Sequence, residues 1–437
     1  MTVEERQLSC LEVLPQGRRP LLKSRSAGRS SSVAVVEHSA QDSVMETLPY
    51  VDFSSKVHNR SVARRVPVNG TIEVTRRCPM RCLHCYNNLP VDDLEARSNE
   101  LTYEEHCRIL DEISEAGCLW LLYTGGEIFA RDDFLEIYTY AKKKGLIITL
   151  FTNGTLIDEH VADTLADWRP FSIEISIYGR TKETFERITR VPGSYERCMR
   201  GIHLLAERGL PLTIKTMALT LNRHEVEDMK RFVVQDLGLE FKYDAMVNPR
   251  VDGSRRPLRL RLIPEEIVKL DVQDPRRREE WRALAKRSNG TFRAHETSDK
   301  LYQCGGGLTS FAIDPYGRMG VCTLSQHDTW DLRRGNFEKG WDEFLFQLRQ
   351  KKIARPSKCL NCGLKDMCTM CPVNAELEND DPETPVDFFC QVSHLRAYAL
   401  DIPVIPHGEC DFCKDGKEYQ RLMGTVEILS GRRAASF

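Results

Sequence analysis

The chain has 437 residues, of which 41% are hydrophobic and 29% are charged, and its formal net charge is -2. These values are ordinary for a globular protein of two or three domains, and they give no global indication of binding to nucleic acid or to an acidic membrane. No apolar run approaches the roughly 20 residues that span a bilayer, and the N-terminus lacks a signal-peptide core. We therefore expect a cytoplasmic protein without membrane segments.

The cysteine content is unusual for such a chain. There are 16 cysteines, of which three lie within 78–85 and nine lie within 304–413. In a large protein without a signal sequence, this clustering favours metal binding over disulfide bonds.

Residues 1 to about 60 are rich in arginine and serine and show no sustained periodicity. They predict a mostly disordered N-terminal extension. An organelle transit peptide is the alternative, but the acidic residues Glu4, Glu5 and Glu12 argue against it.

From 68 to 250, strand-like and helix-like segments alternate, which predicts β–α crossover units. The fold class is therefore α/β, with six strands in a partial (β/α)6 barrel of the TIM type and with chemistry at the carboxyl ends of the strands. The predicted strands lie at 71–75, 119–123, 146–151, 171–177, 212–219 and 239–246, and the predicted helices lie near 102–117, 131–144, 158–168, 194–208 and 223–237.

The C-terminal part differs in composition. Residues 251–300 predict a charged helical linker, and residues 301–400 predict a loop-rich, cysteine-rich domain with helix only near 338–353 and 390–399. Residues 401–437 form an extension that carries a CxxC pair.

The first motif is Cys78-x3-Cys82-x2-Cys85, placed just after the first predicted strand. Three thiolates in one loop can bind three irons of a cubane cluster, which leaves the fourth iron open to a small chelating molecule. The alternative is a closed zinc site with His84 as fourth ligand.

This motif, with the aromatic Tyr86 after it, resembles the signature of the radical S-adenosylmethionine (SAM) enzymes. The resemblance implies a 4Fe-4S cluster on Cys78, Cys82 and Cys85. It also implies that the cluster reductively cleaves SAM to a 5′-deoxyadenosyl radical, which abstracts hydrogen from a substrate.

Polar residues at the ends of the next strands extend the resemblance. It implies that the GGE segment contacts the SAM amino group, although Ile128 replaces a frequent proline. It implies ribose, methionine or carboxylate contacts for residues further along, whereas Met217 is favoured as a core residue over an adenine contact. The residues that it assigns to cofactor binding are Tyr86, Thr124, Gly125, Gly126, Glu127, Asn153, Ser176 and Arg190.

The second constellation lies in the cysteine-rich part. A zinc ribbon is the alternative interpretation of these cysteines. In a zinc ribbon about 15–20 residues usually lie between the two CxxC knuckles, and in this chain far fewer do. The pattern resembles the seven-cysteine SPASM domain of peptide-modifying and protein-modifying radical SAM enzymes. It consists of Cys304, Gly317, Cys322, Cys359, Cys362, Cys368, Cys371 and Cys390.

The resemblance implies one or two auxiliary iron–sulfur clusters. An outer cluster would bind Cys359, Cys362, Cys368 and Cys390, and an inner cluster would bind Cys304, Cys322 and Cys371. Some members have an eighth cysteine where this chain has Ser310, so the fourth ligand of the inner cluster is open.

The remaining cysteines carry weaker signals. Cys107, Cys118 and Cys198 are interpreted as small buried residues, and Cys10 lies in the N-terminal extension. The segment His407-x2-Cys410-x2-Cys413 has the spacing of a metal knuckle. It could supply the missing inner ligand, bind zinc, or bind no metal.

The resemblance implies a peptide or protein substrate and hence a role in the maturation of a ribosomally made peptide. Thr323 follows Cys322 where the sulfatase-maturing branch has an acidic residue, which disfavours formylglycine formation. Since only about 60 residues precede the barrel, we expect a separate leader-binding protein, and flavodoxin or ferredoxin as electron donor.

Two other functions stay open at this point. One is an enzyme acting on a haem-type or quinone-type precursor, whose carboxylates the basic run from Arg255 to Arg261 could bind, although a solvated charged face is favoured there. The other is a non-catalytic scaffold, which would form no 5′-deoxyadenosine. Asp244 and Asn248, at the end of the sixth strand, are weak candidates for substrate contact, with a loop cap or a salt bridge to a nearby arginine as the alternatives for Asp244.

Overall fold

The structure, a computed structural model, describes residues 49–291, 299–407 and 409–430. The strands are β1 Asn69–Glu73, β2 Arg77–Cys78, β3 Leu89–Pro90, β4 Trp120–Thr124, β5 Ile147–Thr152, β6 Ser172–Ser176, β7 Leu212–Met217, β8 Glu240–Asp244, β9 Ser310–Ile313, β10 Arg318–Gly320 and β11 Trp330–Asp331. The first helices are α1 Tyr50–Arg64, α2 Leu94–Asn99, α3 Tyr103–Glu115, α4 Phe134–Lys143, α5 Glu159–Asp167, α6 Lys182–Thr189, α7 Ser194–Glu207 and α8 Val226–Arg231. The later helices are α9 Pro264–Gln273, α10 Pro275–Thr291, α11 Phe337–Lys339, α12 Phe346–Gln350, α13 Pro372–Asn379, α14 Asp387–Ala399 and α15 Tyr419–Leu429.

One nine-stranded sheet has the order β11-β10-β9-β1-β4-β5-β6-β7-β8. The strands β1 and β4 to β8 pair in parallel, each with the next. These are the six strands that the alternation predicts, and the predicted α/β fold class is confirmed. The pair β2 and β3 forms a small separate sheet within the loop after β1.

Local sequence signals explain the barrel elements. In β5, half-buried and buried residues alternate along the strand, as expected for two differently packed faces. A capping box begins α3, where Glu105 N donates to the Thr102 hydroxyl at 3.2 Å and Thr102 N donates to Glu105 Oε2 at 2.8 Å. Asp158 caps α5 by a single bond, in which its carboxylate accepts from Val161 N at 2.9 Å.

The C-terminal part extends the barrel sheet, which the sequence did not predict. β9 pairs in parallel with the free edge of β1, and β10 and β11 continue the sheet in antiparallel order. Short strands far from their partners in sequence carry no periodic signal of their own. The description of 301–400 as mostly loop is therefore incomplete, since it also misses α13.

The N-terminal prediction is wrong for residues 50–60, which belong to α1. This helix has a left-handed terminal residue, Arg65, whose guanidinium lies over the Trp341 ring at 4.5 Å. Residues 1–48 lie outside the described residues. The helices α2, α6 and α15 were also missed.

Buried ion pairs join the linker to the cysteine-rich part. Asp271 of α9 accepts from Arg396 Nε at 2.8 Å and from Arg277 Nε at 2.7 Å. Arg261 contacts Glu378 at 2.5 Å, with both side chains less than a tenth exposed. In the described part of the chain, no helix is long and apolar enough to cross a membrane.

Candidate active site

The loop between β1 and β3 carries the three cysteines of the first motif. Cys78 ends β2 and is buried, and Cys82 and Cys85 are partly buried. Burial raises the pKa of Cys82, and the neighbouring thiols of Cys85 and Cys78 raise it further. The structure therefore brings these three predicted ligands together at the carboxyl end of β1.

The structure does not support His84 as a fourth metal ligand beside these three cysteines. Its ring lies edge-on to Tyr178, with centroids 4.6 Å apart, and burial lowers the pKa of His84 to about 4. A closed zinc site needs four ligand atoms around one ion. In the described residues, ligand atoms from three or more histidine, cysteine, aspartate or glutamate side chains lie within 4.8 Å of one another at one place only. That place is near the C-terminus and not in this loop. The zinc alternative at this loop therefore loses support.

A buried ion pair fixes the start of the cysteine loop. Arg77 Nε and Nη2 donate to the two carboxylate oxygens of Glu100 at 2.9 and 3.0 Å. Thr75 donates its hydroxyl to the same carboxylate. Because a fork-shaped pair holds a side chain at two points, Arg77 fixes the backbone that leads into Cys78.

A second buried carboxylate fixes the end of the loop. The Tyr86 hydroxyl and Asn87 Nδ2 both donate to Glu73 Oε1 at 2.7 Å. Burial raises the pKa of Glu73, although Arg76 lies 3.6 Å away. In the structure Tyr86 is thus bound to β1, and its role toward a cofactor stays a prediction.

Gly125 and Gly126 lie where the loop after β4 crosses the cysteine loop. A Cβ on Gly125 would lie 2.2 Å from the carbonyl oxygen of Thr75. A Cβ on Gly126 would lie 2.4 Å from the carbonyl oxygens of both Arg76 and Arg77. Gly126 N donates to Thr75 O at 2.7 Å. Two backbones in contact require glycine here. Contact of Thr124, Gly125 and Gly126 with SAM stays a prediction.

Glu127 joins the ends of β4 and β5. Its carboxylate accepts from the Thr152 hydroxyl at 2.6 Å and from Asn153 N at 2.7 Å. Burial raises the pKa of Glu127 to about 7. Burial, and then the charge of Glu127, raises the pKa of Cys78, which places this carboxylate beside the cysteine loop. A bound ammonium group would favour the charged carboxylate.

The other predicted SAM contacts lie around the same loop. Asn153 Nδ2 donates to Cys78 Sγ at 3.5 Å, and Ser176 ends β6 and is half-buried. Arg190 is an exposed residue with a φ of 62° at the end of α6. That end contacts the cysteine loop, since Arg81 N donates to Thr189 O at 2.9 Å. The roles of these residues toward SAM stay predictions.

The residues after β8 are placed as follows. The Asp244 carboxylate accepts from Met246 N at 2.9 Å, as in a loop cap, and Asn248 is half-buried. Met217 packs against a small apolar cluster that includes Leu219, which favours its interpretation as a core residue. Substrate contact by Asp244 and Asn248 stays a prediction.

A charged group on β6 to β8 was missed by the sequence analysis. Lys215 Nζ lies 3.2 Å from Glu174 and 2.8 Å from the centre of the Phe151 ring. Lys242 Nζ lies 3.9 Å from the same carboxylate. Charged residues in the middle of otherwise apolar strands are the signal that could have identified this group.

Arg250, in the loop after β8, was also missed. Its Nη1 donates to Asn88 Oδ1 at 2.7 Å and to the Cys85 carbonyl at 3.3 Å, and its Nη2 donates to the Asn88 carbonyl at 3.0 Å. Val251 N donates to Tyr86 O at 2.9 Å. Arg250 therefore positions the last cysteine of the motif from the far edge of the barrel.

We expect Arg250→Ala to lower the rate of 5′-deoxyadenosine formation about tenfold or more, because a hydrogen bond to a charged group contributes about 1.5–3 kcal/mol. Iron content per chain should fall as well. Arg255→Ala is the matched control, since Arg255 is 56% exposed and meets an exposed Asp380. Equal rates and iron contents in both variants would contradict a positioning role for Arg250.

The three cysteines predicted for the inner cluster also come together. Burial raises the pKa of Cys322 to about 12, with contributions from Cys371 and Cys304. Arg349 Nη1 donates to the Cys304 carbonyl at 2.6 Å and so holds its loop. Ser310 is the first residue of β9 and pairs with β1.

This inner group borders the radical SAM motif. Thr323, which follows Cys322, lies beside the Tyr86 hydroxyl, whose pKa is raised by burial and by Glu73 and lowered slightly by Thr323. Arg76 Nη2 donates to Gln326 Oε1 at 3.1 Å. The loop after Cys322 therefore contacts the loop that ends in Cys85.

Four further cysteines form the outer group. Burial raises the pKa of Cys390, and the thiols of Cys368, Cys359 and Cys362 raise it further. These are the four residues predicted for the outer cluster, and Cys390 lies in the first turn of α14. Cys410 and Cys413 lie instead with His394 and His407, away from the inner group that lacked a ligand.

A family model described as the radical SAM superfamily matches residues 72–233. Residues 72–233 are therefore a radical SAM domain. The matched segment contains the cysteine loop and the strands from β1 to β7.

Three similar proteins extend this result. The chain is 26% identical over 334 residues to the PqqA peptide cyclase of Bradyrhizobium diazoefficiens. This alignment covers 72% of this chain and 86% of the cyclase. It is 33% identical over 156 residues to the Fe-coproporphyrin III synthase of Methanosarcina barkeri, which covers 36% of this chain and 37% of the synthase. The crystal structure of Streptococcus suis SuiB bound to precursor peptide SuiA has a TM-score of 0.55 at 18% identity, covering 80% of this chain and 82% of SuiB. At that identity the likeness concerns the fold.

The residues present fit the cofactors of radical SAM proteins, a 4Fe-4S cluster and SAM. Three neighbouring thiols leave one iron of a cubane free for a chelating ligand. Further cysteine groups in the C-terminal part suit additional iron–sulfur clusters.

Proposed function

We propose that this radical SAM protein modifies a peptide or protein by abstracting hydrogen from it. Bound at Cys78, Cys82 and Cys85, a reduced cluster and SAM supply a 5′-deoxyadenosyl radical that attacks unactivated C–H bonds. The observation that carries the peptide substrate is the long alignment with a peptide cyclase.

Alignment length favours this substrate over a small molecule. An alignment of 334 residues has to include both the barrel and the cysteine-rich part, because neither alone is that long. The 156-residue alignment with the Fe-coproporphyrin III synthase is shorter than the span from β1 to β8. That similarity supports the second candidate, a haem-type precursor, over a much shorter part of the chain.

The chain's own residues position and shield the reaction. The pairs Arg77–Glu100 and Tyr86–Glu73 fix the two ends of the cysteine loop. Asn153 and Glu127 lie next to Cys78, where SAM contacts are predicted. The loop after Cys322 borders Tyr86, so an auxiliary cluster on Cys304, Cys322 and Cys371 would lie beside the cysteine loop.

Partners follow from this proposal. A peptide substrate needs recognition of its leader, for which we propose a separate leader-binding protein. We propose flavodoxin or ferredoxin as the electron donor.

The test measures 5′-deoxyadenosine from the anaerobically reconstituted protein with SAM and a strong reductant. Host lysate is divided at about 1.5 kDa, and each fraction is added separately. We expect the large fraction to stimulate nucleoside formation and to contain a peptide of changed mass, and Cys82→Ala protein to respond to neither. Stimulation by the small fraction alone would overturn the peptide proposal in favour of the haem-type precursor.

A further inference from the structure

We propose that His394, His407, Cys410 and Cys413 form a structural zinc site that is separate from the iron–sulfur ligands. The four side chains are buried, and one ligand atom from each lies within 4.8 Å of the others. The last three residues belong to the motif His407-x2-Cys410-x2-Cys413, whereas His394 lies in α14 outside any motif.

The distances suit a tetrahedral ion. His394 Nε2 lies 3.6 Å from Cys410 Sγ and 3.5 Å from Cys413 Sγ, and Cys413 Sγ lies 3.4 Å from His407 Nδ1. With Zn–S near 2.3 Å and Zn–N near 2.0–2.1 Å, two ligand atoms of a tetrahedral site lie about 3.5 Å apart when one is nitrogen and one is sulfur. These three nitrogen–sulfur separations suit one shared zinc ion. His407 Nδ1 also lies 3.1 Å from the Ile405 carbonyl oxygen, so it binds zinc in the tautomer that carries its hydrogen on Nε2.

A backbone contact fixes the orientation of His394. Its Nδ1 lies 2.7 Å from the carbonyl oxygen of Cys390, so the protonated Nδ1 donates to that carbonyl. Nε2 is then left with its lone pair facing the two thiols. Zinc-bound histidines commonly donate their other ring N–H in this way, which fixes both tautomer and ring direction.

The same geometry argues against a multi-iron cluster at this place. In a cubane each protein ligand binds a different iron, so ligand atoms are spread around a cube. Here the four atoms surround a space for one ion. Two thiolates balance the charge of Zn2+, and two neutral imidazoles complete a closed Cys2His2 set, as in structural zinc sites.

The site ties the chain after α14 back onto that helix. Beyond the four ligands, the Tyr398 hydroxyl of α14 donates to the Phe412 carbonyl at 3.1 Å. Cys390, a predicted ligand of the outer cluster, is connected to the site through the carbonyl that His394 contacts. The zinc ion would therefore stabilise the helix that presents Cys390.

The alternative assignment is that His407 serves the outer iron–sulfur cluster instead of zinc. The His407 ring also lies near the thiol of Cys362, another predicted ligand of the outer cluster. If His407 served that cluster, its loss would remove iron and leave zinc unchanged. The test therefore measures both metals.

Metal content is measured on full-length protein purified anaerobically without added zinc. We expect about one zinc per chain in the wild type, at least a tenfold loss of zinc in Cys410→Ser/Cys413→Ser, and no loss in Cys107→Ser, a cysteine of α3 outside every group. Zinc should fall in His407→Ala, and iron should not fall while zinc is retained. Zinc retained in the double variant, or iron lost from His407→Ala with zinc unchanged, would overturn the proposal.

X-ray absorption at the zinc edge keeps the test decisive if the variants fail to fold. The wild-type protein should show two sulfur and two nitrogen neighbours. Four sulfur neighbours would mean that zinc occupies a cluster position, and an absence of zinc in the wild type would mean that no such site is formed. Either result overturns the proposal.

Discussion

Replacing Cys78, Cys82 and Cys85 together with alanine is expected to reduce 5′-deoxyadenosine formation to the limit of detection. Each thiolate would hold one iron of the cluster, and no other described cysteine lies on this loop to replace it. Iron content should fall by about four per chain, because the whole cluster is lost while the C-terminal cysteines keep theirs. Nucleoside is measured by liquid chromatography, and iron is measured on the same samples.

Cys107→Ala is the control for this experiment. Cys107 lies in α3 and contacts Tyr103, away from the three cysteine groups. Its replacement should leave both nucleoside and iron unchanged. A triple variant that still cleaves SAM at the wild-type rate would contradict the assignment of the cluster to this loop.

The largest effect on stability is expected from Asp271→Asn. Burial opposes ionisation of Asp271, but Arg396 and Arg277 together hold the pKa of its carboxyl below the ordinary value of 3.8. Removing the charge leaves the fully buried Arg396 without its counter-ion, and breaking such a pair costs about 3–5 kcal/mol. Urea unfolding followed by circular dichroism measures this loss at neutral pH.

The sign of the pH dependence follows from the lowered pKa. The stabilisation by Asp271 is fully present above the pKa of the unfolded chain and is lost as the pH falls through the lower, folded pKa. The matched control is Asp132→Asn, because Asp132 and Arg97 form a pair that is 82% and 57% exposed. The control should change stability by less than about 1 kcal/mol. Equal effects of the two substitutions would show that the buried pair does not hold the linker to α14.

The sequence predicted the barrel because its elements are local and periodic. The strands β4 and β5 and the helix α3 carry clear alternation or capping signals within a few residues. By contrast, β9 pairs with β1 across more than two hundred residues, and no local pattern announces such a partner. The same holds for the contact of α1 with Trp341.

The cysteine motifs could be predicted because their ligands lie close together in sequence. The residues that hold those motifs in place could not be predicted. Arg250 reaches the Cys85 carbonyl from a loop that lies far away in sequence, and nothing at position 250 marks it. His394 is a single histidine in a helix, and only the fold places it beside Cys410 and Cys413. The two glycines of the GGE segment were predicted to admit SAM, and the structure adds a contact with the backbone of the cysteine loop as a reason for them.

The central claim is that the cluster on Cys78, Cys82 and Cys85 binds SAM, and electron paramagnetic resonance of the reduced protein tests it most directly. Spectra are recorded without and with SAM, for the wild type and for Cys82→Ala, in which only the C-terminal clusters should contribute. We predict that SAM changes the wild-type spectrum and leaves the spectrum of the variant unchanged. A wild-type spectrum that does not respond to SAM, or an equal response in both proteins, would contradict the claim.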